Sequence, residues 1–224
     1  DYLTKFGIGT KTGSGLPGES RGILRKVADW SGTTAPTVAF GQGYSLTAMQ
    51  ATSVFATIAN DGVRVSPTVI AGKSDSSGNY TPSATRESVR VISADTAAKM
   101  RLMMESVVSA NGTAPSAAIP GYRVAGKTGT AQRIDDTCGC YRGYTASFIG
   151  FAPADNPAYV ISVTIQDPKG LHWGGYLGGP VFKKVMSFVL QSKGIAPTGT
   201  AVVPYPLTEK QLIAAKKAAS VKTN

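Results

Sequence analysis

One short stretch of this sequence carries most of the groups that could do chemistry, namely Lys127-Thr128-Gly129 followed by Thr130. An ammonium group and two hydroxyl groups are hydrogen-bond donors that suit a carboxylate. Gly126 and Gly129 remove side-chain bulk, so another backbone can approach the chain closely here. We therefore predict that this stretch binds a carboxylate and an extended peptide along a strand edge. The alternative is an ordinary solvated strand end.

Such groups need a rigid element to hold them, and the preceding residues predict one. Apolar and polar residues alternate in a way that favours a β-strand over residues 121–132. Tyr122 and Val124 would face one side of that strand, and Arg123 and Lys127 the other. The strand would fix the direction of the lysine ammonium against a cleft, as a functional group requires.

Four stretches together resemble class B penicillin-binding proteins, the D,D-transpeptidases that cross-link peptidoglycan. Lys-Thr-Gly is a signature that these enzymes share with serine β-lactamases. The other three are a glycine-rich segment ending in Leu16-Pro17-Gly18-Glu19, a segment with Phe40-Gly41-Gln42-Gly43, and the strand Ser147-Phe148-Ile149-Gly150. Their order and spacing fit the family across most of residues 1–190.

The resemblance also implies two motifs that these residues do not contain. The family's nucleophile lies in Ser-x-x-Lys, and no serine here has a lysine three residues later. Its Ser-x-Asn motif belongs before Glu19, whereas Ser77-Gly78-Asn79 and Ser109-Ala110-Asn111 follow it. No alternating strand precedes Lys11-Thr12-Gly13. We interpret this sequence and the two Ser-x-Asn sequences as coincidental matches. We expect the chain to be the C-terminal part of a transpeptidase domain, with the nucleophile upstream.

Strand patterns predict the fold class. Short strands are expected over residues 63–71 and 88–92, and longer strands over residues 144–152 and 159–166. Three strands in the second half, with helices around them, predict an α+β fold with an antiparallel sheet covered by helices. The resemblance implies the penicillin-recognising serine transpeptidase or β-lactamase-like fold, to which this chain supplies the last three strands and the C-terminal helix. In that fold the strand of Lys127 lies at one edge of the sheet, and the third strand pairs on its outer side with an upstream strand.

Two helices are predicted from their capping residues. Ser45 or Thr47 can begin a helix that ends at Asn60-Asp61-Gly62, and Ser93 can begin a second helix. The second helix carries a stripe of methionine and valine residues at helical spacing, which is typical of core packing. Its members are Met100, Met103, Met104, Val107 and Val108.

A third helix is predicted near the C-terminus. Pro180 can occupy its first position, and Gly194 lies just past its end. The residues expected to face inward are Val181, Val185, Phe188 and Val189. We expect residues 1–194 to belong to the transpeptidase domain. Residues 195–224 would be a Pro/Thr linker and a peripheral Ala/Lys-rich tail, with a capping box over residues 208–211.

The resemblance implies acyl transfer by a serine and assigns the roles. The upstream serine would attack the D-Ala-D-Ala end of a peptidoglycan stem peptide, and β-lactam antibiotics would trap the acyl-enzyme. Lys127 would supply positive potential at the substrate carboxylate and near the proton-transfer network. Thr128 and Thr130 hydroxyls would bind that carboxylate, and the Thr130 N–H would help to form the oxyanion hole. Gly129 would keep the strand edge open. Trp173 would lie near the cleft or, alternatively, cover the core.

Cys138-Gly139-Cys140 holds both cysteines of the chain. They can form a disulfide, because the glycine permits the bend and an exported compartment is oxidising, or both can be free on an exposed hairpin. With His172 they would offer a metal only three soft or nitrogen ligands that are far apart in sequence, so we predict no metal and no cofactor. His172 is interpreted as a surface loop residue rather than a general base.

Composition limits the partners. The 224 residues are 42% hydrophobic, which is enough for a packed core, and carry a net charge of +10 with a pI near 9.7. The basic residues are scattered rather than concentrated on a face with aromatics, which excludes nucleic acid as the expected partner. Anionic headgroups or wall polymers suit the charge better. No apolar run is long enough to span a bilayer, so any membrane anchor would lie upstream. The resemblance implies a single-pass anchor there and a catalytic domain on the extracytoplasmic side.

Two other functions are compatible with the Lys-Thr-Gly strand. A serine β-lactamase would hydrolyse the acyl-enzyme, and a non-catalytic β-lactam sensor or wall-binding module would keep only the fold. The Leu-Pro-Gly-Glu and Phe-Gly-Gln-Gly segments favour the transpeptidase. We expect a septal, division-type enzyme that acts with membrane proteins of a division complex.

The missing motifs give the first prediction. Residues 1–224 alone should show no covalent labelling by penicillin, because no nucleophile–lysine pair is present. Mass spectrometry of the isolated chain after incubation with penicillin checks this. A stoichiometric adduct on a serine would overturn the interpretation of the motifs.

Overall fold

The computed structural model describes residues 1–214 except 136, 203 and 207. The α-helices are α1 (Tyr2–Lys5), α2 (Thr34–Ala39), α3 (Ala48–Ala59), α4 (Ala94–Ser106) and α5 (Gly174–Ser192). The strands are β1 (Val63–Val65), β2 (Gly72–Ser74), β3 (Tyr80–Pro82), β4 (Ser88–Arg90), β5 (Ala125–Asp135), β6 (Cys140–Ala152) and β7 (Tyr159–Gln166). Two short 3-10 turns cover Val27–Asp29 and Pro115–Ala117.

The central sheet is antiparallel, with the strand order β5-β6-β7. Lys127 pairs with Ile149 across β5 and β6, and Phe148 pairs with Val163 across β6 and β7. The predicted antiparallel sheet, its order and the edge position of the Lys127 strand are therefore confirmed. The long strands β6 and β7 are rich in β-branched and aromatic residues, which favour extended structure.

The strand of Lys127 begins later than predicted, at Ala125 rather than at residue 121. Gly121 has a φ of +82°, and the Tyr122 N–H donates to the Ile119 carbonyl, so these residues form a turn. The Tyr122 hydroxyl donates to the Ile195 carbonyl at 2.5 Å, which holds the Tyr122 ring against the core. At its other end β5 continues to Asp135 in a hairpin with β6.

Helices cover the sheet on both faces. On one face, Phe148 of β6 meets Phe182, Met186 and Leu190 of α5, and all four side chains are fully buried. The rings of Phe148 and Phe182 lie edge to face with centroids 4.9 Å apart. On the other face, Phe151 packs with Ile58 of α3 and Met104 of α4. The α+β architecture with a helix-covered sheet follows from these two apolar layers.

The prediction for the C-terminal helix was wrong in its start and in its buried face. The helix begins at Gly174, and Pro180 lies inside it. Val181 and Val185 are 43% exposed and Phe188 is 71% exposed, whereas residues 182, 186 and 190 face the sheet. The glycine pairs before Pro180 let the helix lie close to the sheet, since a Cβ on Gly178 would lie 2.9 Å from the Cβ of Phe148. Pro180 has no N–H to donate to the Tyr176 carbonyl, so the helix lacks one backbone hydrogen bond there.

The caps of α3 and α4 are confirmed. Thr47 and Gln50 form a capping box at α3, and the Ser93 hydroxyl accepts from the Thr96 N–H at α4. Gln50 is 1% exposed, and its amide also donates to the carbonyls of Thr10 at 2.7 Å and Arg21 at 2.9 Å. One buried side chain therefore holds the glycine-rich segment against α3. The methionine stripe of α4 packs in the core as predicted, with Met104 and Val108 buried.

The predicted strand over residues 63–71 is wrong beyond Val65. Ser66 still donates its N–H to the Glu87 carbonyl, but Pro67 has no N–H to continue the ladder. The chain then forms an unpredicted hairpin of β2 and β3. Asp75 closes its turn by accepting from the N–H groups of Ser77 and Asn79, both at 2.9 Å.

A buried ion pair joins α4 to the residues just before β5. Arg123 donates to Glu105 through Nη2 at 2.6 Å and Nε at 2.9 Å, a bidentate arrangement. The hydrogen bond with Glu105 raises the pKa of Arg123. Asp155 lies 3.8 Å from the same guanidinium and accepts from the hydroxyls of Thr198 and Thr200. The polar cluster therefore ties the segment after α5 back to the start of the Lys127 strand.

Two apolar surfaces remain uncovered in the described part of the chain. There β7 pairs only with β6, so its outer edge has no strand beside it. The outward face of α5 exposes Val185 and Phe188. Among the described residues, no helix is long and apolar enough to cross a membrane.

These surfaces generate a prediction on folding. Residues 1–224 expressed alone should self-associate, because the β7 edge and the outer face of α5 expose unpaired backbone and apolar surface. Size-exclusion chromatography and amide hydrogen exchange measure this, and Phe188→Lys should reduce the association. A soluble monomer with a cooperative melt and protected amides over residues 159–166 would contradict the prediction, and with it the expectation that another polypeptide segment covers this edge.

Candidate active site

The predicted site residues lie together at the start of β5, the edge strand. Lys127 is exposed, and its ammonium donates to the Thr128 carbonyl at 2.9 Å and reaches the Thr128 hydroxyl at 3.4 Å. Thr128 and Thr130 are half-buried on the face of β5 that α5 covers. An ammonium has three donors, so at least one remains for another group. The site thus combines a positive charge with two hydroxyls.

The N-terminus of α5 is bonded directly to this strand. The Gly174 N–H donates to the Thr130 hydroxyl oxygen at 3.2 Å. Trp173 occupies the N-cap position of α5 without a side-chain cap bond, so Thr130 takes the place of a cap. Because the Thr130 oxygen accepts here, its own proton is available to a ligand. The positive end of the helix dipole lies at the same point, which favours an anion there.

Glycines make this contact possible. A Cβ on Gly174 would lie 2.2 Å from the Gly129 carbonyl oxygen, and one on Gly175 would lie 2.0 Å from the Thr113 carbonyl oxygen. Backbone atoms cannot move aside as a flexible side chain can, so only glycine fits at either position. Gly174 and Gly175 were missed as site residues from the sequence. The signal was present, because Gly178 and Gly179 repeat the pair four residues later and place all four on one helix face.

The glycines of β5 make room for the neighbouring strand. A Cβ on Gly129 would lie 2.4 Å from the Ser147 hydroxyl, and one on Gly126 would lie 2.5 Å from the Phe148 ring. Both glycines therefore make room for side chains of the neighbouring strand β6. The open edge for a substrate at Gly129 stays a prediction.

An aromatic group lies beside the helix start. Tyr144 and His172 are stacked, with ring centroids 4.0 Å apart and planes 7° from parallel, and His172 contacts Trp173 at 5.0 Å. Trp173 is 60% exposed, so it does not cover the core. Its ring is available to a ligand next to the Gly174–Thr130 contact, and His172 packs against it.

The two cysteines form a disulfide at the tip of the β5–β6 hairpin, in agreement with the first of the two predicted states. Asp135 holds the same tip by accepting from the Thr137 N–H at 2.9 Å. The hydrogen bond from the Thr137 hydroxyl lowers the pKa of Asp135. Within the described residues, no group of three or more His, Cys, Asp or Glu could hold a metal ion.

The second Lys-Thr-Gly sequence lies in a loop. The Thr12 N–H and hydroxyl both donate to the Glu19 carboxylate, the N–H at 2.7 Å. The hydrogen bond from the Thr12 side chain lowers the pKa of Glu19. These bonds close the glycine-rich loop on itself, so Lys11 has no strand to direct it.

Comparisons with known proteins agree with this geometry. The family model described as the penicillin binding protein transpeptidase domain matches residues 1–187. The chain is 42% identical to the penicillin-binding protein PbpB of Mycobacterium tuberculosis over 205 residues, covering 87% of this chain and 30% of that protein. It is 35% identical to a probable peptidoglycan D,D-transpeptidase PenA of Neisseria flavescens, covering 92% of this chain and 50% of that protein.

The fold is also similar to solved structures. Penicillin-binding protein 3 of Mycobacterium tuberculosis in complex with ampicillin matches with a TM-score of 0.84 and 40% identity, over 91% of this chain and 47% of that one. The chain thus spans between 30% and 50% of the length of these similar proteins.

The glycine contact gives a prediction on stability. Gly174→Ala should lower the free energy of unfolding of the parent protein by about 1–3 kcal/mol, because the added Cβ would force α5 away from β5. Gly32→Ala is the matched control, since nothing lies within 4 Å of a Cβ there. Thermal or urea denaturation of both variants decides the matter. Equal effects of the two changes would show that α5 does not rest on β5 as described.

Proposed function

Because the chain belongs to the penicillin-binding protein transpeptidase family, we propose that it supplies one side of the active site of a class B peptidoglycan D,D-transpeptidase. The observation that carries the proposal is the edge strand of Lys127, Thr128 and Thr130, with the Thr130 hydroxyl bonded to the N-terminus of α5. Charge, hydroxyl donors and a helix dipole converge there on the position that a peptide carboxylate would take.

The proposed reaction proceeds in two acyl transfers. A serine outside these 224 residues attacks the carbonyl between the two D-alanines, the C–N bond breaks, and D-alanine leaves with the serine proton on its amine. The amine of a second stem peptide then attacks the acyl-enzyme ester. The C–O bond breaks, a new peptide bond forms, and the serine regains a proton. β-Lactams would acylate the same serine.

Lys127 is proposed to act through its uncommitted donor. Two of its directions are occupied by the Thr128 carbonyl and hydroxyl oxygens, which fix the ammonium in place. Lys127 is exposed on the edge strand, so its remaining donor can meet the substrate carboxylate or the serine and its proton acceptor. A fixed ammonium stabilises developing negative charge without reorganisation.

The threonines are proposed to bind the carboxylate that D-Ala-D-Ala and β-lactams share. The Thr130 oxygen accepts from the Gly174 N–H, so its proton can be donated to the carboxylate. The Thr130 backbone N–H would contribute to the oxyanion hole, where the loss of one donor costs about 10²–10³ in rate. The free edge of β5 would receive the substrate as an added strand past Gly129, with Trp173 as an aromatic wall.

The two alternative functions are less well supported. A serine β-lactamase or a non-catalytic sensor would share the Lys-Thr-Gly strand. The relatives reported above are named as penicillin-binding proteins and as a probable peptidoglycan D,D-transpeptidase, which favours cross-linking. The lifetime of the acyl-enzyme of the parent protein separates the transpeptidase from the β-lactamase.

The cellular setting is part of the same proposal. The parent protein would be anchored in the cell membrane by a single upstream span, with its catalytic domain on the extracytoplasmic side. The Cys138–Cys140 disulfide supports an extracytoplasmic location, because disulfides persist in oxidising compartments. Septal cross-linking together with membrane proteins of a division complex is the proposed role.

The two Lys-Thr-Gly sequences give a matched prediction. In the parent protein, Lys127→Ala should slow acylation by a penicillin by at least about 10²-fold, as expected when a preorganised charge is lost. Lys11→Ala should stay within a few-fold of the wild type, because Lys11 lies in a loop that Glu19 closes. Stopped-flow or gel-based acylation rates measure both. Equal losses of acylation rate in the two variants would mean that the active site has been assigned to the wrong Lys-Thr-Gly sequence.

A further inference from the structure

Thr113 lies at the meeting point of the Lys127 strand and the start of α5. Its hydroxyl oxygen is 3.1 Å from that of Thr128, and either atom can be the donor. Its carbonyl oxygen would lie 2.0 Å from a Cβ on Gly175, so only glycine fits at position 175 beside the Thr113 backbone. Both parts of the residue therefore contact groups of the candidate site.

The loop that carries Thr113 is held on both sides. Ala114 is fully buried, and its N–H donates to the Val107 carbonyl at 2.9 Å. A Cβ on Gly112 would lie 2.2 Å from the same carbonyl, so this residue must also be glycine. The backbone of this loop is thus held in place, and the Thr113 side chain is exposed.

The donors around Thr128 determine where its proton points. A hydroxyl has one proton and two lone pairs. The Lys127 ammonium, which can only donate, reaches the Thr128 oxygen at 3.4 Å. If Thr113 donates as well, both lone pairs are occupied, and the Thr128 proton must point away from Lys127 and Thr113. In that arrangement the Thr128 proton is left for donation to a ligand.

We infer that Thr113 is a positioning residue, which orients the Thr128 hydroxyl as a donor to the carboxylate of the substrate or β-lactam. This rests on the proposed function, since it assumes that a carboxylate binds at Thr128. Thr113 was not a candidate from the sequence. Only the fold brings the loop after α4 to within hydrogen-bond distance of β5.

The test compares Thr113→Val with Thr113→Ser in the parent protein. Removing the hydroxyl while keeping the shape should lower the second-order rate of acylation by benzylpenicillin about tenfold, the upper end of the range for one hydrogen bond between neutral groups. Serine should restore the rate to within about twofold of the wild type, since it keeps the donor. Ser109→Ala, which removes a hydroxyl from the same loop, is the control and should react as the wild type.

Two further readouts separate positioning from general damage. Benzylpenicillin methyl ester has no carboxylate, so wild type and Thr113→Val should react with it at equal rates. In a Thr128→Val background, Thr113→Val should cause no additional loss.

The inference is overturned if Thr113→Val reacts with benzylpenicillin as fast as the wild type. It is also overturned if the loss is the same for the ester, or if the losses of the Thr113 and Thr128 variants multiply. A wild-type parent that benzylpenicillin does not acylate at all would overturn the proposed function, and the inference with it.

Discussion

The contact between the first turn of α5 and the backbone of β5 is the constraint on which the site depends. Gly174 rests against the Gly129 and Ser147 carbonyls, where a Cβ would lie 2.2 Å from either oxygen. Its N–H then donates to the Thr130 hydroxyl oxygen. A residue with a side chain at this position would separate the helix from the strand, and Thr130 would lose both the hydrogen bond and the helix dipole. The geometry of the site thus requires glycine, which has no side chain, at position 174.

The rest of the fold keeps that contact in place. Phe182, Met186 and Leu190 hold α5 on the sheet through fully buried apolar surface, which is the main favourable term in such packing. The Arg123–Glu105 pair fixes the chain four residues before Lys127, and Arg123 is close to Asp155 as well. The strand that carries the donors is therefore held at its start, along its covered face and at the disulfide-closed tip of its hairpin.

The sequence predicted the caps of α3 and α4 and the lysine strand, because these depend on hydroxyls beside helix starts and on local periodicity, whereas the sheet order came from the family resemblance. It failed where tertiary packing reverses a local preference. Glycine pairs before Pro180 indicate a loop by propensity, but a helix accepts them when a strand backbone must come within contact distance. Thr113 lies 15 residues from Thr128, and no pattern in one sequence shows that a loop and a strand meet.

A crystal structure of the parent protein acylated by ampicillin tests the central claim most directly. We predict that the ampicillin carboxylate lies within about 3 Å of both the Thr128 and Thr130 hydroxyl oxygens, the distance of an ordinary hydrogen bond. The Gly174 N–H should still donate to Thr130. A carboxylate bound elsewhere, or a start of α5 that has left the Lys127 strand, would contradict the proposed active site.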